Sequence, residues 1–240
     1  MTTPVVLVHG GGHGAWCWEP LLPLLDQPAR AVDLPPHSIR GGPARFDNPP
    51  GIEAVTLADW AAEVLAVADD AGFERFVLVG HSLAGLTLGE VARRAPERVA
   101  QLVFVSAHVP PQGETALAAL PAEMMERMAG GLTDEIVTEM FCSDMDDAQT
   151  RFVLDHVGTE AIQVMLEPVD RAGIPPSVAI TYVRLLRDRA LAPTAQDASI
   201  AALRAVPGGP VDVVDLDTGH NVMISRPDAL APVIAAVRGA

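Results

Sequence analysis

Apolar-rich segments recur along the chain at residues 5–8, 75–79, 99–106 and 178–186, with more mixed ones at 30–34 and 211–216. Residues 5–8 form a continuous apolar run, the pattern of a strand buried on both faces, and the other segments read as further strands. Between them lie stretches with helical periodicity. Residues 57–71 place Leu57, Trp60, Ala61, Val64, Leu65 and Ala68 on one face, with Thr56 as N-cap and Gly72 closing the C-terminus. Further helices are predicted from the residues after 82 to 95, where Pro96 ends the run, and at 194–205 and 227–237. The stretch 15–25 also carries helical signals, interrupted by Pro20 and Pro23. Strands alternating with helices predict a parallel sheet covered on both faces. Residues 35–55 hold five prolines and three glycines and read as a long surface loop. The rhythm breaks after residue 112, where helical segments at 121–129, 133–141, 146–157 and 159–167 follow without a strand. The expected organisation is an α/β core of residues 1–110 and 177–240, with a helical cap, 111–176, inserted between them.

A chain of 240 residues with 49% hydrophobic and 20% charged positions can bury one sizeable core. No apolar run reaches the length of a membrane span. Residues 1–4 show no basic n-region before the first apolar run, so a secretory signal is not expected and a cytoplasmic location is. Cys17 and Cys142 are too few for a disulfide framework and have no metal-ligand spacing, so no metal site is expected of them. The net charge of −15 disfavours nucleic acids and anionic membranes as partners. All 16 basic residues are arginine; the chain has no lysine. Schiff-base chemistry, Ser-Lys dyads and P-loops are thereby excluded.

Candidate chemistry concentrates where apolar runs end. Phe76-Val77-Leu78-Val79 leads into Gly80-His81-Ser82-Leu83-Ala84-Gly85, a G-x-S-x-G between a strand and a helix. That is the context of a nucleophile elbow, in which a sharp turn lifts the serine hydroxyl clear and leaves no room for side chains at the flanking glycines. A serine nucleophile needs a base, and the base needs an orienting acid. His220, in Asp217-Thr218-Gly219-His220 after the last predicted strand, is the best placed of seven histidines. Asp188, just past the 178–186 run, is the preferred acid, with Asp215, Asp217 and Asp155 as competitors. Oxyanion donors are expected from the backbone of Leu83 and of Gly11, the latter in the turn His9-Gly10-Gly11-Gly12, which is similar to the HGGG-type turn of esterases. That turn lacks the G-x-G-x-x-G pattern of a dinucleotide site.

With these residues in place, the chain resembles the α/β-hydrolase fold superfamily over nearly its whole length. Val6-Leu7-Val8-His9-Gly10-Gly11-Gly12-His13-Gly14-Ala15-Trp16-Cys17-Trp18, the elbow and Gly219-His220 are similar to the branch containing plant methyl-ester esterases and hydroxynitrile lyases. Asp188-Arg189-Ala190-Leu191 also resembles that branch, which supports Asp188 as the acid. The resemblance implies a mostly parallel sheet flanked by helices, with an inserted helical cap, and a cofactor-independent Ser-His-Asp hydrolase. Its expected partner is a small or medium apolar carboxylic ester. His81, His108 and Met223 are the candidate substrate-binding residues, with Leu83 and Val109 beside them. Six of eight methionines lie in the presumed cap and suggest an adaptable apolar wall. The lyases of the branch carry a threonine after the first histidine and a lysine after the catalytic one; Gly10 and Asn221 stand there in this chain. Alternatives to an esterase are an enzyme acting on a lactone or thioester, a hydroxynitrile lyase, and a ligand-binding protein without turnover. The oligomeric state stays open, a homodimer included.

Overall fold

The computed structural model describes residues 2–36, 48–120, 126, 132–172, 174–205 and 210–236. Six strands form one sheet: β1 (Val5–Val8), β2 (Ala29–Val32), β3 (Phe76–His81), β4 (Val99–Val105), β5 (Ala179–Leu185) and β6 (Val211–Leu216). All neighbours are parallel, in the order β2-β1-β3-β4-β5-β6. The chain moves outward from β1 to β2, then crosses back to β3 on the other side of β1. In open parallel sheets, this reversal of direction leaves a crevice at the carboxyl ends of the strands, between β1 and β3.

Successive strand residues face opposite sides of the sheet and meet two different layers. Val6, Val8, Phe76, Leu78, Leu102, Phe104, Ile180 and Tyr182 pack on one face against α1 (Leu57–Asp70), α2 (Gly85–Arg94) and α5 (Pro193–Arg204). Val5, Leu7, Val77, Val79, Val103, Val105 and Val183 pack on the other against Trp16, Trp18 and α7 (Pro227–Ala236). Each such side chain, fully buried, contributes roughly 1.5–3 kcal/mol. The double-sided burial explains why β1 and residues 76–79 of β3 read as unbroken apolar runs and why β4 is apolar apart from Gln101. Edge strand β6 is only partly buried and keeps two aspartates.

Helix α1 begins at a capping box: the Asp59 amide donates to Thr56 Oγ1 at 3.2 Å, and the Thr56 amide donates to Asp59 Oδ2 at 2.9 Å. Gly72 follows it at φ +69°, as a left-handed C-terminal glycine should.

Between β4 and β5 lie α3 (Asp134–Phe141), α4 (Asp147–His156) and a 3-10 segment, Ile162–Leu166. A short helix α6 (Val222–Ser225), not foreseen, follows β6. Residues 15–25 are not one helix but two 3-10 turns, Ala15–Trp18 and Leu22–Leu24. Pro20 and Pro23 remove the amides a continuous helix would need. The segment 159–167 likewise contracts to the 3-10 turn, and the loop 35–55 contains another, Ile52–Ala54. The expected helix 121–129, with Met124, Met125 and Met128, lies outside the described residues, Glu126 apart. Among the described residues no helix is long and apolar enough to cross a membrane.

Candidate active site

Register brings the two glycine-rich turns together. Val8, the last residue of β1, pairs with Gly80, so the turn after β1 runs beside the end of β3. A Cβ on Gly10 would come within 2.7 Å of Ser82 Cβ. The turn is tied down by its own histidines. His9 Nδ1–H donates to Gly10 O at 2.9 Å and its Nε2 accepts from the Leu34 amide at 3.1 Å. His13 Nδ1–H donates to Gly11 O at 2.8 Å while its ring stacks on Trp16.

The elbow is as tight as its glycines imply. Ser82 sits at φ +53°, a conformation of order 1–3 kcal/mol above the ordinary regions for a residue with a side chain. A Cβ on Gly85 would lie 2.3 Å from the carbonyl oxygen of His108, and one on Gly80 would collide with Leu88. Helix α2 can therefore start directly against the sheet, projecting Ser82 upward.

His220 Nε2 lies 3.2 Å from Ser82 Oγ, and His220 Nδ1 lies 2.6 Å from Asp188 Oδ2. Because a carboxylate can only accept, Nδ1 carries the ring hydrogen, and the Nε2 lone pair faces the serine hydroxyl. Asp188 is fully engaged. Its Oδ1 accepts from the amides of Ala190 and Leu191, each at 2.7 Å, and its Oδ2 also accepts from Ser106 Oγ at 2.6 Å. Buried and held on both oxygens, the carboxylate has one orientation. The competing acids lie elsewhere. Asp215 pairs with Arg184, Asp217 with Arg187, and Asp155 is exposed.

A cavity of about 500 Å³ opens over Ser82 and His220. Gly11, Gly12 and Leu83 line it beside the serine, and His108, Leu132, Met140, Phe141, Met165 and Leu191 form much of its wall. Met140 and Met165 thus meet the expectation of an apolar methionine wall; Met145 packs into the core instead. Two of the three predicted substrate contacts need correction. His81 and Met223 are wholly buried and do not reach the cavity. His81 lies behind the base, its Nε2–H donating to His220 O at 3.0 Å. Met223 is core of α6. Val109, too, is absent from the cavity wall, whereas His108 is part of it and donates Nε2–H to Ala116 O at 3.0 Å.

Sequence reasoning missed Ser106, Asp144 and Glu160. Ser106, at φ +38°, stands one residue beyond β4 and reaches Asp188 across 82 residues of sequence. Glu160 lines the cavity and accepts from the Gly12 amide at 3.0 Å. Asp144 accepts from the Gly219 amide at 2.6 Å. None of these contacts follows a local motif, so only the folded chain reveals them.

The histidines behind the site shape its response to acid. Burial lowers the His13 pKa from 6.5 to about 4, and burial together with the neighbouring His220 holds His81 well below the usual imidazole range. Both therefore stay neutral near pH 7. In the unfolded chain each binds a proton near pH 6.5, before the folded chain does, so stability is present above that pH and lost as pH falls below it. For His13 the loss accrues between pH 6.5 and 4 and amounts to about 3 kcal/mol. Urea unfolding at pH 7.5 and pH 5 should show lower stability at pH 5. Equal stability at the two values would contradict neutral buried histidines.

A family model described as the alpha/beta hydrolase family matches residues 5–233. The chain is 27% identical to a carbendazim hydrolyzing esterase of Nocardioides sp. (strain SG-4G), over 97% of this chain and 98% of that one. It is 39% identical to polyneuridine aldehyde esterase of Rauvolfia serpentina over a shorter match, 44% of this chain and 39% of the relative. The crystal structure of polyneuridine aldehyde esterase superposes with a TM-score of 0.75 at 22% identity, covering 98% of both chains. A pyrethroid hydrolase from Sphingobium faniae JZ-2 superposes with a TM-score of 0.73 at 23% identity, over 98% of this chain and 96% of that one. These two superpositions speak to the fold.

Proposed function

Since the chain belongs to the alpha/beta hydrolase family, we propose that it is a carboxylic ester hydrolase working through a Ser82-His220-Asp188 triad and an acyl-enzyme. The observation that carries this reading is the unbroken hydrogen-bonded chain from Ser82 Oγ through His220 to Asp188, opening on a cavity. The esterase names of its relatives agree with it.

In the first half-reaction Ser82 Oγ attacks the ester carbonyl carbon while His220 Nε2 takes the hydroxyl proton. Asp188 holds the ring and stabilises the imidazolium. The amides of Gly11 and Leu83 donate to the oxyanion as it forms. Collapse breaks the ester C–O bond, and His220 returns its proton to the departing alkoxide, which leaves as the alcohol. In the second half-reaction water attacks the acyl-serine with His220 again as base. The carboxylic acid leaves and Ser82 regains its proton. The described part of the segment between β4 and β5 supplies Leu132, Met140, Phe141 and Met165 to the cavity wall and acts as a cap over this site.

The apolar wall favours a neutral ester of small or medium size. Among the described residues Glu160 is the one carboxylate in the wall, and it disfavours substrates with a second negative charge. A hydroxynitrile lyase has less support, because Asn221 occupies the position where that branch carries a lysine. Hydrolysis of neutral nitrophenyl acetate and butyrate, against a nitrophenyl hemisuccinate, tests the reading. The neutral esters should turn over and the anionic one should lag. Binding of esters without turnover would favour a ligand-binding protein instead.

A further inference from the structure

The two loops that complete the site are held by the segment between β4 and β5 as well as by the sheet. Gly12, next to the proposed oxyanion donor, is gripped on both of its backbone groups. Its N–H donates to Glu160 Oε2 at 3.0 Å, and its carbonyl accepts from the Gly158 amide at 2.8 Å. Glu160 Oε1 accepts from the following amide, Ala161, at 2.7 Å, which fixes the carboxylate. Gly12 has φ +69°, and a Cβ there would meet the Gly158 carbonyl oxygen at 3.0 Å, so the two backbones touch.

The His220 loop has a matching anchor. The Gly219 amide donates to Asp144 Oδ2 at 2.6 Å, and Ser225 Oγ donates to the same oxygen at 3.1 Å. A Cβ on Gly219 would stand 2.4 Å from Asp144 Oδ1, so the carboxylate lies flat on the backbone one residue before His220. Gln149 adds a bond from Nε2–H to Ile224 O at 3.0 Å. Among the described residues Asp144 Oδ1 is buried without a hydrogen-bond partner, an unfavourable placement for a carboxylate oxygen. A core-filling role does not account for it, whereas the bond to Gly219 does.

We propose that the segment is a two-point clamp, with Asp144 as a positioning residue for the base and Glu160 as a positioning residue for the oxyanion turn. The clamp rests on the hydrolase reading above. It makes the segment part of the catalytic geometry as well as a wall for substrate. Glu160 holds the Gly11–Gly12 peptide through its N–H and Gly158 holds the Gly12–His13 peptide through its carbonyl, which anchors the turn directly beside the Gly11 amide. The His220 loop is likewise fixed at Gly219 by Asp144, at its own carbonyl by His81 and at the ring by Asp188. Misplacing a reacting group by about 1 Å costs on the order of 100-fold in rate.

The test uses Asp144→Ala, Asp144→Asn and Glu160→Ala in the full chain, assayed on nitrophenyl butyrate, with thermal melts to report folding. Asp144→Ala and Glu160→Ala should each lower kcat about 10-fold or more with KM changed less than about 3-fold, the signature of an interaction made in the transition state. Glu160→Ala should also weaken inhibition by a trifluoromethyl ketone, in parallel with its loss in kcat/KM. Asp144→Asn should stay within about 3-fold of wild type, because its amide oxygen can face Gly219 and Ser225 while its NH2 takes the partnerless position. Undiminished kcat in both alanine variants, losses in KM alone, or Asp144→Asn as impaired as Asp144→Ala would overturn the clamp. Should Asp144→Ala not fold, Glu160→Ala and its inhibitor profile decide the point. Labelling of wild-type Ser82 by a fluorophosphonate separates the two claims: an unlabelled wild type counts against the hydrolase reading, and a labelled wild type with unaffected variants counts against the clamp alone.

Discussion

Ser82→Ala should lower kcat toward neutral nitrophenyl esters by about 10⁶-fold while leaving KM within a few-fold, because only the attacking oxygen is removed. The cavity wall and the amides of Gly11 and Leu83 survive the change. A small residual rate above water is therefore expected, arising from binding and oxyanion stabilisation alone. The fold should be undisturbed, since alanine removes one oxygen and keeps the backbone at φ +53° that Gly80 and Gly85 accommodate. Steady-state assays alongside a thermal melt check both halves of the expectation. Turnover at the wild-type rate would remove Ser82 from the mechanism.

Asp188→Asn should cost about 10⁴-fold in kcat with little change in the fold. The magnitude follows from the direction of the hydrogen bonds around the carboxylate. Two backbone amides, Ala190 and Leu191, both point at Oδ1, so an asparagine must keep its oxygen there. Its NH2 group then occupies the Oδ2 position and faces His220 Nδ1 as a donor. The imidazole is driven to the other tautomer, with hydrogen on Nε2, and can no longer accept the Ser82 proton. Ser106 can rotate its hydroxyl to accept from the new NH2, so nothing is left clashing. A kcat within about 10-fold of wild type would show that Asp188 does not set the tautomer.

Much of this arrangement is legible in the residues themselves, for a physical reason. A strand buried on both faces favours apolar residues throughout, which is why β1 and residues 76–79 of β3 stand out; β4 departs only at Gln101, whose amide donates to Thr181 Oγ1. A turn as tight as the one at Ser82 admits only small residues, which is why Gly80, Ala84 and Gly85 mark it. Chain order and strand ends point to His220 and Asp188, and the structure brings both to Ser82.

What stayed illegible depends on packing between distant segments. Ser106, Asp144 and Glu160 reach their partners over 82, 75 and 148 residues, and each belongs to no local pattern. His81 and Met223 misled for the opposite reason. Nearness in sequence to Ser82 and His220 suggested contact with substrate, but each side chain turns inward and is sealed from the cavity. The apolar periodicity of residues 15–25 is genuine, yet Pro20 and Pro23 break it into 3-10 turns.

The most direct test of the central claim is covalent. Incubation with a fluorophosphonate, followed by digestion and mass spectrometry, should place a single phosphonyl adduct on Ser82. Labelling should stop esterase activity in step with adduct formation and should fall sharply in His220→Ala. An active enzyme that carries no adduct at Ser82, or one labelled elsewhere as its activity is lost, would contradict the account.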